Sequence, residues 1–180
     1  ESIYQSTIAL IWEKGLKKVT VDDIAAAAGI IKGAFYSYYP SREKGIYDVL
    51  KRSEAELFAR MESIMSADLR GKERIERFCR EVYLSPDSVV LHLSPMDMEV
   101  LLRKLPAEYT EREKEKSQDY FQRSMALMQV SEQQMEAIAL LMDCLGFVAS
   151  NKMYSEQSKQ EVLDVLIGAI SHYPALEEKK

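Results

Sequence analysis

The chain has 180 residues, 47% of them apolar, and a formal net charge of −5 at pH 7. Nearly half apolar, it is globular, and its length suffices for one sizeable core or two small domains sharing a long helix. No apolar run approaches the roughly 20 residues of a bilayer span, and Glu1 opens no basic-then-apolar leader, so a soluble, cytoplasmic protein with no membrane partner is expected.

A first helix is expected over Ser2–Lys14, where Ile3, Thr7, Ile8, Ile11 and Trp12 recur at three- and four-residue spacing to make one apolar stripe. Gly15 stops it, and Leu16 and Val19 fold back to close a three-helix core. Thr20–Tyr39 then reads as two short helices joined by a tight turn. Thr20 caps the first, Asp22 and Asp23 sit at its positive end, and Ile24, Ala25 and Ala28 form its apolar face. Gly29 takes the positive φ of a helix C-terminus, with Ile30 buried just after it. The second runs from about Lys32 to Tyr38, which is helix-turn-helix geometry. Its Lys32 and Gly33 combine a cation with exposed backbone N–H groups. Tyr36, Ser37 and Tyr38 add donors for phosphate oxygens or base edges, and the small Gly33 and Ala34 let the helix enter a major groove about 12 Å wide. Taken alone, the same pattern also fits a core hairpin with packing tyrosines.

The flanking residues decide between these readings. Ile11-Trp12, Lys14-Gly15-Leu16, Thr20-Val21, Ile24-Ala25, Ala28-Gly29-Ile30 and Lys32 through Glu43 follow in order at fixed spacing. With them the stretch Ile3–Leu50 resembles the tetracycline-repressor (TetR) family of bacterial transcription regulators. The resemblance implies an all-α fold, with a helix-turn-helix DNA-binding domain over residues 1–45 and a helical effector-binding and dimerisation domain over 46–180. It further implies that Thr20, Lys32, Tyr36 and Arg42 position the head on phosphates, with Lys44 beside them, and that Gly33, Ala34, Ser37 and Tyr38 face the groove. Two residues depart from the family pattern. Ile31 stands where a Ser or Thr is common, removing a hydroxyl cap and leaving either contact with a thymine methyl or simple burial. Gly45 replaces a usual leucine, with Ile46 expected to take over its packing.

After Pro40, Ser41 is placed to cap a helix continuing to about Ser66, a lever tying head to body. The cations Lys14, Lys17, Lys18, Lys32, Arg42 and Lys44 cluster around the motif. Residues 1–50 carry as many acids, and the whole deficit of −5 falls in the remainder. So small a basic patch argues for few phosphate contacts per subunit and hence for a dimer that doubles them.

Further helices are expected at about Lys72–Tyr83, Pro95–Leu105, Ala107–Gln129, Glu132–Asn151 and Glu156–Ser171, with Leu84–Ser94 the least regular segment and a frayed tail at Glu177–Lys180. Ser131 with Gln134 forms a capping-box pattern, and Ser155 caps the last helix. Cys79 and Cys144 are too few for a disulfide framework and read as small core residues. The last two helices are apolar on more than one face, through Ile138, Leu141, Met142, Leu145, Phe147, Val148 and Ala149, then Val162, Leu163, Val165, Leu166, Ile167, Ala169 and Ile170. Such surplus implies a partner, and Gly146 and Gly168 suit close helix approach. A two-fold four-helix bundle through Leu141, Leu145, Val148, Leu163, Leu166, Ile167 and Ile170 follows, which is also how the family usually dimerises. A two-fold homodimer predicts a roughly palindromic operator with half-sites about 34–36 Å apart or a multiple of that.

The family usually keeps an apolar effector cavity, and the candidate lining is Phe58, Met61, Met65, Phe78, Tyr83, Met96, Met98, Tyr120, Met128 and Met142, although a Met-aromatic stripe equally fits ordinary core. With only His92 and His172, no Glu-x-x-His pair, no phosphate-cradling glycine loop and no nucleophile elbow, neither a metal site, a cofactor nor catalysis is expected. The reading is a dimeric regulator, a repressor released from operator DNA by a small apolar or amphipathic ligand. The alternative is a helical dimer of the same fold that has lost operator binding and acts through protein partners.

Overall fold

In the computed structural model the described residues are 2–69, 71–111, 122–123, 125–126, 130–151 and 153–177, and every regular element among them is helical. In chain order the helices are α1 (Ser2–Lys14), α2 (Val21–Ala28), α3 (Lys32–Tyr38), α4 (Arg42–Ser66), α5 (Gly71–Phe78), α6 (Pro95–Leu102), α7 (Glu132–Ser150) and α8 (Glu156–Glu177). None of them is long and apolar enough to cross a membrane. The chain divides into two compact units, Glu1–Glu56 with Pro86–Lys116 and Leu57–Ser85 with Ser117–Lys180, with α4 contributing to both.

The first unit is built around the apolar stripe of α1. Tyr4, Ile8 and Ile11 bury with Leu16, Val19, Val21, Ile24, Phe35, Ile46, Tyr47, Val49 and Leu50. Val89, from a 3-10 stretch over Pro86–His92, and Leu101 of α6 join the same cluster. Trp12 lies half-buried at the edge of this core, where its indole N–H donates to the Pro86 carbonyl at 2.7 Å and its ring lies 4.9 Å from that of His92, tilted by 50°. α6 starts as its sequence directs, with Ser94 accepting the Asp97 amide and Pro95 in the first turn. It ends at Leu102, short of the expected Leu105, because the chain turns over 103–105.

α4 begins where Ser41 Oγ accepts the Lys44 amide at 3.1 Å, and it continues to Ser66 as expected. Gly45 within it is buried. A Cβ there would stand 2.5 Å from Cζ of Phe35 and 3.2 Å from Cγ of Tyr39. Ile46 is indeed fully buried beside it. The glycine, however, does more than leave a gap: it lets the Phe35 ring lie directly against the α4 backbone.

In the second unit, α4 supplies Leu57, Met61 and Ile64, and α5 supplies Ile75 and Phe78. α5 runs on as a π turn over Cys79–Tyr83, burying Cys79, Val82 and Tyr83. Burial pushes the Cys79 thiol up to about 12, which suits a core residue. α7 and α8 close this core with Met135, Ile138, Met142, Leu145, Leu163, Ile167 and Ile170. Arg80 meets Asp164 of α8 at 2.6 Å. The Ser131–Gln134 capping box forms, and Ser155 accepts the Ser158 amide at the start of α8. α8 extends beyond the expected Ser171 to Glu177. Of the helix expected at Ala107–Gln129, residues 107–111 are helical and most of the remainder lies outside the described residues, as does the tail beyond Glu177. One expectation is corrected: Cys144 is exposed, because it falls on the outward face of α7.

Replacing Gly45 by alanine is expected to destabilise the protein by about 1–3 kcal/mol, since Phe35 is fully buried and its ring must move to admit the methyl. Urea unfolding of the variant measures this. Unchanged stability would mean that the Phe35 ring relaxes without cost.

Candidate nucleic-acid interface

The helix-turn-helix pair is fixed by its caps. Thr20 Oγ1 accepts the Asp23 amide at 3.2 Å while Asp23 Oδ2 accepts the Thr20 amide at 2.8 Å, a reciprocal capping box. The Thr20 hydroxyl also donates to Asp23 Oδ2 at 2.6 Å, and Lys14 Nζ pairs with Asp23 Oδ1 at 2.6 Å. The lysine ammonium first, and the Thr20 hydroxyl and amide after it, hold the Asp23 carboxyl down to about 2. At the other end Gly29 adopts φ 67 and ψ 31, and the amides of Gly29 and Ile30 close onto the carbonyls of Ala26 and Ala25. That is a Schellman turn, which requires the left-handed conformation glycine adopts freely.

α3 leaves this turn with one buried side chain, Phe35, whose ring packs 5.2 Å from Tyr39 and edge-on to Tyr36 at 5.6 Å. Every other side chain on the helix is available. Lys32, Gly33, Tyr36, Ser37 and Tyr38 are exposed and Ala34 is half-buried. Ser37 donates to the Gly33 carbonyl at 3.1 Å, which orients its hydroxyl along the helix. Lys32 Nζ lies 2.9 Å from Asp22 Oδ2, and this hydrogen bond and charge raise the lysine's pKa. Ile31, at the N-cap without a side-chain cap bond, is 78% exposed, so simple burial is not its role.

The cations at the start of α4 are differently employed. Arg42 donates from Nε to the Val19 carbonyl at 2.5 Å and from Nη2 to the Leu16 carbonyl at 2.7 Å, with Glu43 at 3.2 Å. It therefore clamps the α1–α2 connection onto α4. Lys44 pairs with Asp48 and lies 5.9 Å and 5.6 Å from the Tyr47 and Tyr109 rings. Thr20 is likewise committed to its cap. The arrangement thus separates Thr20 and Arg42, which hold the hairpin, and Lys44, which is engaged within α4 and against Tyr109, from the exposed set on α3.

The other expected residues are distributed as follows. Met96 and Met98 lie in the first unit, whereas Phe58, Met61, Met65, Phe78, Tyr83 and Met142 lie in the second. Met61, Phe78, Tyr83 and Met142 are buried there, Phe58 is half-buried against Arg123 and Met65 is exposed. Tyr120 and Met128 fall outside the described residues. A cavity of about 200 Å³ opens between the end of α7 and the start of α8, lined by Phe147, Val148, Asn151, Tyr154, Ser158, Lys159 and Val162, and none of the expected ligand residues borders it. Among the described residues no cluster of three or more His, Cys, Asp or Glu could hold a metal ion.

Of the seven residues expected to face a second subunit, Leu145, Leu163, Ile167 and Ile170 are buried inside their own unit, and Leu141, Val148 and Leu166 are half-buried. The outward apolar surface is a neighbouring stripe, Leu140, Cys144 and Phe147 on α7 with Val162, Val165 and Ala169 on α8. Phe147 is 71% and Val165 72% exposed. Sequence reasoning had missed Leu140; its spacing to Cys144 and Phe147, four and three residues, was the available signal.

Residues 3–44 match the family described as bacterial regulatory proteins, tetR family. The HTH-type transcriptional repressor KstR2 of Rhodococcus jostii is 32% identical over 79 residues, covering 44% of this chain and 39% of that protein. KstR2 of Mycobacterium tuberculosis is 35% identical over 68 residues, covering 38% and 34%. The chain thus spans only about a third to two fifths of the length of these curated relatives. A solved TetR-like transcriptional regulator from Rhodococcus sp. RHA1 shares the all-helical fold, with a TM-score of 0.56 over 96% of this chain and 91% of that one at 17% identity. Residues 3–44 are thus similar to the helix-turn-helix domain of the TetR family of bacterial transcriptional regulators.

Proposed function

We propose that this protein is a dimeric operator-binding regulator, with residues 1–45 as the DNA-binding head and 46–180 as the effector-binding and dimerisation domain. The observation that carries the reading is the exposed face of α3, where Lys32, Gly33, Tyr36, Ser37 and Tyr38 stand clear of a helix anchored by Phe35 alone. Lys32 and Tyr36 meet phosphates, while Gly33, Ala34, Ser37 and Tyr38 face base edges in the major groove. Thr20 and Arg42 act from behind, holding the hairpin at the angle the groove requires, while Lys44 stays engaged with Asp48. The exposed Ile31 adds an apolar surface for a thymine methyl.

The dimer forms through the stripe of Leu140, Phe147, Val162 and Val165, flanked by the half-buried Leu141, Val148 and Leu166. A Cβ on Gly168 would meet nothing within 4 Å, so this part of α8 also leaves room for a partner helix. Repression is the mode supported by relatives that are repressors. A small apolar or amphipathic ligand enters the second unit among Phe58, Met61, Phe78, Tyr83 and Met142. It tilts α4, the helix common to both units, and moves the recognition helices off their spacing. Only a ligand that binds the two states with different affinity does this.

Tyr36→Ala is expected to weaken binding to all duplexes, whereas substitutions of Ser37 or Tyr38 change which duplexes are preferred; selection from a random-sequence duplex pool reads both. Unaltered affinity in Tyr36→Ala would place the recognition surface elsewhere. Phe147→Glu is expected to yield monomers by sedimentation and to weaken operator binding by at least about tenfold, because the phosphate contacts are no longer doubled. A variant that remains dimeric would move the interface off this stripe.

A further inference from the structure

Two consecutive acids open α2, and the structure gives them separate work. Asp23 turns inward to Lys14 and completes the Thr20 cap. Asp22 takes no part in the cap. Its carboxylate stands 70% exposed at 2.9 Å from the ammonium of Lys32, the first residue of α3. The remaining cations of the head are also engaged: Lys17 with Asp97, Arg42 with the Leu16 and Val19 carbonyls and Lys44 with Asp48. Only Lys18, exposed, has no partner among the described residues. A phosphate that approaches Lys32 therefore meets an ammonium whose charge Asp22 already partly neutralises, with the Asp22 carboxylate beside it as a like charge.

We propose that Asp22 is a specificity-determining residue, an internal competitor that keeps Lys32 from phosphates until α3 is seated in its operator. This rests on the reading of α3 as the recognition helix and deepens it. On unrelated DNA the protein docks loosely through charge alone, and Lys32 stays with Asp22, so the contact adds little. On operator DNA the contacts of Ser37 and Tyr38 fix the helix and hold a phosphate at Lys32, where it outcompetes Asp22 for the ammonium's charge. An exposed pair is weak, and that suits the purpose: it is strong enough to resist transient encounters and weak enough to yield to a seated complex.

The test compares wild type with Asp22→Asn and Asp22→Ser, both of which leave the Thr20–Asp23 cap in place. Each is titrated with a random-sequence duplex and with the duplex that wild type selects from a pool, across a range of salt. Asp22→Asn is expected to tighten binding to the random duplex by about threefold per subunit, or roughly tenfold for a dimer, as exposed pairs allow. The salt slope on that duplex steepens by about one phosphate per subunit, the selected duplex gains less, and discrimination falls. In a Lys32→Ala background the same substitution has a smaller effect. Equal discrimination in wild type and both variants overturns the proposal while leaving the recognition helix intact. So does an effect undiminished by Lys32→Ala, which would make Asp22 a plain repulsive charge. If wild type selects no duplex and binds none, the reading of α3 falls, and this inference with it.

Discussion

The close approach between Phe35 and Gly45 sets the attitude of α3. A seven-residue helix has too few turns to hold itself, and tertiary packing must fix it. α3 buries one side chain fully, so its orientation is decided where that ring meets the α4 backbone. Lys32, Gly33, Tyr36, Ser37 and Tyr38 are then free to face outward. A larger residue at position 45 would require the ring to find another seat, and the exposed face would rotate with it. The departure from the family pattern at this position is thus a matched pair of residues, a small one on α4 and a large one on α3.

Charge in the head follows a similar economy. Six cations and six acids in the first 50 residues cancel, and most cations are engaged within the fold: Lys14 on Asp23, Arg42 on two backbone carbonyls, Lys44 on Asp48. The first two stabilise the hairpin and its join to α4, and the third lies within α4, so in the proposed reading they serve DNA recognition through geometry. Few groups remain for phosphates directly, which makes two-fold doubling of the contacts more consequential than in a strongly basic head.

Local signals in the sequence marked the first four helices well, because each boundary has a chemical cause. Thr20, Gly29 and Ser41 supply cap or turn geometry, and the apolar spacing of α1 continues without interruption to Gly15. The exposed face of α3 was legible for the same reason. What was not legible was tertiary. Arg42 reads as a surface cation until the fold brings the Leu16 and Val19 carbonyls beside it. Val89 and Leu101 join a core begun by Ile8 and Ile24, and no short-range pattern announces a partner so distant in sequence. On α7 and α8 an apolar run marked surplus surface without saying which residues turn in. One step along the helix separates the exposed Cys144 from the buried Leu145, and such steps carried four of the seven expected dimer residues into the core.

The central claim is that two copies of α3, held by two-fold symmetry, read DNA. Footprinting wild-type protein on a duplex selected from a random pool tests it most directly. The account predicts two protected half-sites related by approximate two-fold symmetry, with centres about 34–36 Å apart or a multiple of that. A single protected site, or protection with no preferred sequence, would contradict it.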